Sequence, residues 1–397
     1  MNRSNKITKT DHFNFIAMVF CFWFATYIYI PVFGVYLEEI NFSYASIGVI
    51  LGSYGITQIL FRFPLGIISN KFQRIQKDLL VIGFVLSIIS SLILIFFESM
   101  AMILIARLLV GVTASVWVMA TVLYSNYFNV RQAVKAMGIM QFVTVATQFL
   151  GMMISGYLVY KGGWNLPYWI GLIASIIGMC FSFKIKTAEN FDVKSLDFNI
   201  KSIVFKTVRI PNLLFISFVS MVTHSILFIT IFGFSPIVAS MNGVNEEDLF
   251  WIVSAFFIPH ITTSFIFMIC DFSQPVIKKI LMVSIILTPV FIVSISFSTS
   301  LFTLSACHFG LGLSLGLLFP ILLGLVVKRS PSDLKVSAMG FYQSFYAIGI
   351  FLGPLMGGKV ADKYGLDQLF VFSGVFCLLL VILCVVWSGK ILKPEIE

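Results

Sequence analysis

Five ionisable side chains stand inside stretches that are otherwise apolar: Arg62, Arg107, His224, His260 and His308. An imidazole exchanges a proton near neutral pH, and a guanidinium binds a carboxylate or phosphate through paired N–H groups. The set therefore offers proton carriage and anion binding. All 17 acidic residues, among them Glu38, Glu39, Glu98, Glu246, Glu247, Asp248 and Asp271, fall in loops or at the ends of apolar stretches. With no embedded carboxylate to hold an exchangeable proton, His224, His260 and His308 become the proton-coupling candidates. The alternative for each is a neutral ring hydrogen-bonded between helices. No two histidines stand at i, i+4, so no metal site is expected. Nucleotide-binding loops, nucleophile elbows and His-Glu-x-x-His are also missing from the sequence, which argues against an ATP-driven pump, an enzyme or a bound cofactor.

Around these groups lie neutral polar and aromatic candidates for a substrate cavity: Gln58, Gln141, Gln148, Gln343, Tyr342, Tyr346, Tyr27 and Trp23. Hydrogen bonds from a few such groups in an apolar pocket orient a ligand; their other use is to join helices. Arg107 is expected to line the cavity, because an arginine facing lipid costs several kcal/mol; a bond to a backbone carbonyl is the alternative. Arg62 shares a helical stripe with Gln58 and Gly66. It is suited either to an anion or to snorkelling toward the membrane surface.

The elements that must position these groups are membrane spans. Of 397 residues, 59% are hydrophobic and 11% charged, against roughly a quarter charged in soluble domains. Segments of about 20 apolar residues fall at 14–37, 45–69, 79–97, 100–126, 134–159 and 164–183. Six more fall at 212–239, 249–270, 280–297, 301–327, 336–361 and 368–387. The polar stretch 184–211 separates them, so the expected units are 1–183, a linker at 184–211 and 212–397. The net charge of +9 reads as membrane topology and not as nucleic-acid binding. Only Lys161, Lys359 and Lys363 lie in loops on the side opposite the termini, and Arg62 and Arg107 lie within spans. Basic loops mark the cytoplasmic side, so both termini are expected in the cytoplasm. The six cysteines show no paired spacing and are expected to pack.

The second half repeats the first. Ala136-Met137-Gly138, Gln141, Phe149-Leu150-Gly151 and Gly156 recur 202 residues later as Ala338-Met339-Gly340, Gln343, Phe351-Leu352-Gly353 and Gly358. Arg107 and Gly111 in span 4 face His308 and Gly312 in span 10, and Gln58 in span 2 faces His260 in span 8. Repeats of this kind place a substrate site at the bilayer midplane between the halves. The expected fold is an all-α integral membrane protein with twelve transmembrane helices in two homologous six-helix bundles.

At this point the chain resembles the major facilitator superfamily of secondary transporters over nearly its whole length. The loop after span 2 is similar to that family's cytoplasmic gating motif at Gly66, Asn70, Lys71, Arg74 and Lys77, with Asn70 in place of the acid and Gln73 in place of the second glycine. Arg107-x-x-x-Gly111 looks like the family's span 4 element, and Gly353, Pro354, Gly357 and Gly358 look like its packing and hinge residues in span 11. Gly151 to Gly156 resembles the span 5 element of drug antiporters without its proline. The resemblance implies a monomeric, alternating-access carrier of a small-molecule substrate in a bacterial cytoplasmic membrane, with a proton as coupling ion. It favours efflux of a drug-like compound or metabolite; uptake of a small organic anion and a non-transporting receptor are the other readings.

Overall fold

The computed structural model describes residues 7–68, 76–125, 127–128, 133–186, 199–270, 272–331 and 334–391. These residues form helices throughout: α1 (Lys9–Tyr27), α2 (Ile30–Glu39), α3 (Tyr44–Ile68), α4 (Gln76–Phe96), α5 (Met100–Ser115), α6 (Trp117–Ser125), α7 (Ala133–Gly162), α8 (Leu166–Phe183), α9 (Ile200–Val208), α10 (Leu213–Ile229), α11 (Ser235–Met241), α12 (Leu249–Ile269), α13 (Gln274–Ile295), α14 (Leu301–Arg329), α15 (Lys335–Tyr364) and α16 (Leu366–Ile391). Eleven helical segments are long and apolar enough to cross a bilayer, and α16 supplies the twelfth crossing. A bilayer offers backbone groups no water, so continuous helix is the form this composition dictates.

Three crossings are interrupted. Span 1 breaks at Ile28 and Tyr29, where Pro31 opens α2. Span 4 breaks at Val116. Span 7 passes through a π-helical turn, Thr230–Phe234, before Pro236 opens α11. Proline lacks the N–H that would continue the ladder and fits the first turn of a new helix. Pro259, Pro320 and Pro354 stay inside α12, α14 and α15, as do Pro64 in α3 and Pro289 in α13. The linker 184–211 is not wholly irregular, because it contains α9, capped by Asn199. Residues 69–75 and 187–198, and with them Asn70, Lys71 and Arg74, lie outside the described residues.

Twelve crossings bring both chain ends to one face, the terminal face; the other is the far face. Within each bundle, hydroxyls join helices: Ser87 pairs with Ser175 at 2.9 Å, Ser90 donates to the Ala106 carbonyl and Thr113 to that of Gly83. The bundles meet along a glycine seam between α3 and α15. A Cβ on Gly48 would collide with the Pro354 carbonyl, and one on Gly55 would stand 2.8 Å from that of Ala347. Nearer the terminal face, a Cβ on Gly66 would lie 3.2 Å from Gly340 Cα. Close backbone approach of this kind supplies the dispersion contact that holds helices together in lipid. Cys21 and Cys377 are buried, whereas Cys180 and Cys270 are exposed, so only part of the cysteine set packs internally.

Candidate functional site

The two bundles share a chain of polar and aromatic groups at the seam. Arg62, 3% exposed, donates from Nη1 to the Tyr346 hydroxyl at 2.5 Å and from Nη2 to the Ala114 carbonyl at 3.5 Å. Its Nε has no partner. The guanidinium does not snorkel; it is held across the bundle junction. Tyr346 in turn stacks on His224 with ring centres 4.0 Å apart and planes 7° from parallel. The His224 Nδ1 donates to the Ser220 carbonyl at 2.8 Å, and the Ser220 hydroxyl donates to Tyr342 at 2.8 Å. Phe319 lies between two histidines, 4.7 Å from the His224 ring and 5.7 Å from that of His260.

Arg107 is built differently. It is 1% exposed, donates to the Tyr29 hydroxyl at 3.0 Å and the Leu51 carbonyl at 3.3 Å, and lies over the rings of Tyr54 and Phe33. Every one of these partners belongs to the first bundle. Of the two arrangements the sequence offered, cavity lining and a backbone-carbonyl bond, the bond is present, to Leu51. Tyr54 sits within the field of both arginines. Neither arginine has a carboxylate partner among the described residues, where the ion pair is Lys186 with Asp11 at 3.0 Å on the terminal face. A buried charge without a counter-charge costs several kcal/mol, and neutral donors and acceptors offset only part of it.

Other candidates scatter. Gln58 is fully buried and donates to the Tyr54 carbonyl of its own helix, and its Oε1 lacks a partner. Gln343 is buried with Oε1 unpartnered, whereas its repeat mate Gln141 is exposed and Gln148 half-buried. Tyr27 crosses the junction to Phe232 at 5.3 Å, backed by Trp23, which packs on Trp117. His308 is completely buried inside the second bundle, with Nδ1 bonded to the Leu304 carbonyl of its own helix. The described rings beside His224 and His260 do not include it. Lys77 donates to the Phe183 carbonyl at the end of α8, a bond inside one bundle and not between two.

The hinge candidates divide as well. A Cβ on Gly111 would stand 2.5 Å from the Tyr54 carbonyl, and one on Gly353 2.8 Å from that of Ser225. Gly156 and Gly358 abut Glu246 and Tyr44 of the opposite bundle on the far face, and a Cβ on Gly357 would meet Leu369 at 3.0 Å. Gly151 has room, with its nearest neighbour 3.4 Å from a Cβ. Sequence reasoning passed over Tyr54 and Phe319, and read Tyr29 with the packing aromatics of span 1. Tyr54 carried a signal, since it precedes Gln58 by one turn and Arg62 by two on one stripe.

The comparisons agree with this geometry. The family model described as Major Facilitator Superfamily matches residues 15–245 and again 213–395. An uncharacterised MFS-type transporter of Methanocaldococcus jannaschii is 22% identical over 386 residues, covering 92% of this chain and 96% of that one. The proton-coupled antiporter flippase LtaA of Staphylococcus epidermidis is 24% identical over 408 residues, covering 96% of each. Among solved structures, the nucleoside transporter NupG superposes with a TM-score of 0.72 at 15% identity over 96% of this chain and all of that one. Twelve crossings, two bundles meeting along α3 and α15 and a polar junction between them are the build of a transporter and not of an enzyme: the chain belongs to the Major Facilitator Superfamily, as a multi-pass membrane transporter of the alternating-access type.

Proposed function

We propose that the chain is a monomeric, proton-coupled carrier of a small organic anion in the cytoplasmic membrane of a bacterium, with its terminal face in the cytoplasm. One observation carries this reading: the ionisable groups of the polar chain at the seam are Arg62 and His224, with His260 beyond Phe319, and no carboxylate is bonded to them among the described residues. A cationic substrate would meet like charge there. An anion would offset the buried charge. An anion and a proton on a nearby imidazole each make the other's binding more favourable, and this reciprocal coupling loads them together. Joint loading is symport, which the inward proton gradient drives as uptake.

Export by antiport is the second reading, supported by the similarity to LtaA and, over 100 residues at 33% identity, to the multidrug resistance protein MdtG of Salmonella. Proteoliposomes with an imposed pH gradient separate the two. Membrane-impermeant organic anions such as succinate and glycerol phosphate should gather in the alkaline compartment, above protein-free liposomes. Gathering in the acidic compartment establishes antiport, and distribution indifferent to the gradient removes proton coupling.

A further inference from the structure

The two buried arginines are not equivalent, and the difference assigns the substrate's charged end to one of them. We infer that Arg62 with Tyr346 is the anion subsite, taking a carboxylate or a phosphate monoester, and that Arg107 is a fixed charge of the first bundle. The inference rests on the anion reading above and adds which residues hold the charge.

Three observations carry it. Arg62 alone of the two reaches across the junction, so its partner changes as the bundles move, whereas the partners of Arg107 move with it. The Arg62 Nη2 reaches the Ala114 carbonyl only at 3.5 Å, so the Nη1–Nη2 end of the guanidinium, a pair shaped for two oxygens of one anion, is weakly committed beside the Tyr346 hydroxyl. In Arg107 the same end is held by the Tyr29 hydroxyl and the Leu51 carbonyl of its own bundle, and rings of Tyr54 and Phe33 lie over its guanidinium. Finally, Tyr346 accepts from Arg62 and has its own O–H to give. On arrival of an anion the phenol changes from acceptor to donor, and its ring stays stacked on His224. The anion therefore gains three donors, two from Arg62 and one from Tyr346, one ring away from the imidazole that would take the proton.

The test measures binding in detergent at one pH, which needs neither a proton gradient nor a direction of transport. The probes are benzoate, succinate and glycerol phosphate, followed by calorimetry and thermal shift on the full chain. At least one should bind saturably and raise the melting temperature. Arg62→Gln should weaken it by roughly 100-fold and Arg62→Lys, which keeps the charge and loses the fork, by about 10-fold. A matched pair removes one phenol from each arginine: Tyr346→Phe should weaken binding by about 5-fold and Tyr29→Phe by less than about 2-fold. The inference is overturned if no probe binds the unmodified chain, or if Arg62→Gln binds within about 3-fold of it. Should Arg62→Gln fail to fold, the phenol pair decides, and equal effects of Tyr346→Phe and Tyr29→Phe would overturn it. A chain that binds anions through Arg62 but ignores the pH gradient would keep the subsite and lose the coupling reading.

Discussion

Arg107 in α5 and His308 in α14 occupy matching places in the two halves, yet they hold different chemistry. Each stands one turn before a glycine that lies against a backbone carbonyl of the neighbouring helix: Gly111 against Tyr54 and Gly312 against Phe256. The carbonyl donors Tyr54 and Phe256 are themselves 202 residues apart, as are Tyr44 and Glu246, which receive Gly358 and Gly156 across the junction. Backbone packing is thus shared between the bundles, because helices approach only where small residues permit it. The ionisable groups are not shared. The first bundle carries permanent cations and the second carries imidazoles, so one half can hold charge and the other can change it.

The largest effect should come from removing that change. His224→Phe and His260→Phe keep the stacking on Tyr346 and Phe319 but cannot take a proton, so the accumulation ratio driven by a pH gradient should fall to about one. His308→Leu should leave accumulation intact, because its ring bonds to its own helix and, unlike His224, stacks on no described ring of the polar chain. The sequence alone offered all three histidines as candidates and favoured His260 and His308; loss of coupling in His308→Leu, with His224→Phe unaffected, would reverse the assignment.

Next comes the shared framework. Gly156→Ala and Gly358→Ala each press a methyl into a backbone carbonyl across the far-face junction. Backbone on both sides cannot rotate away, so each should cost about 2–3 kcal/mol, read as a lowered melting temperature in detergent. Tolerance of one and not the other would show that the halves close differently. A milder pair sharpens the point. Gly353→Ala meets the Ser225 backbone at 2.8 Å and should cost at least about 1 kcal/mol, whereas its repeat mate Gly151→Ala meets neighbours at 3.4 Å and should change stability by less than about 0.5 kcal/mol.

How far the sequence carries is visible in these same residues. The twelve crossings, the repeat and the lack of embedded carboxylates were legible, because each follows from apolar length, spacing or composition. The breaks at Pro31 and Pro236 were not legible, because Pro259, Pro320 and Pro354 stand equally inside apolar segments and leave their helices unbroken. The bond between Arg62 and Tyr346, 284 residues apart, was not legible either, since helical periodicity gives a face and never the partner of that face. Equal positions in the repeat do not carry equal burial at Gln141 and Gln343, where one is exposed and the other buried. The helix α9 was hidden because the basic residues around it read as a linker.

The smallest prediction tests whether the second bundle's hydroxyls serve transport or only packing. Ser87 bonds Ser175 at 2.9 Å in the first bundle, and Ser220 bonds Tyr342 at 2.8 Å in the second. Each is an interhelical hydroxyl pair, and each serine-to-alanine change should cost about 0.6 kcal/mol of stability. Their effects on transport should differ. Tyr342 meets Tyr346 edge-on at 5.5 Å, and the Ser220 hydroxyl also lies 3.2 Å from His224 Nδ1, so Ser220→Ala loosens both rings packed on the Tyr346 that Arg62 bonds. It should raise KM by about 2-fold to 3-fold, whereas Ser87→Ala should leave KM unchanged. Equal KM values in the two variants at equal melting temperatures would mean that Tyr342 is packing alone, and the polar chain would then end at His224.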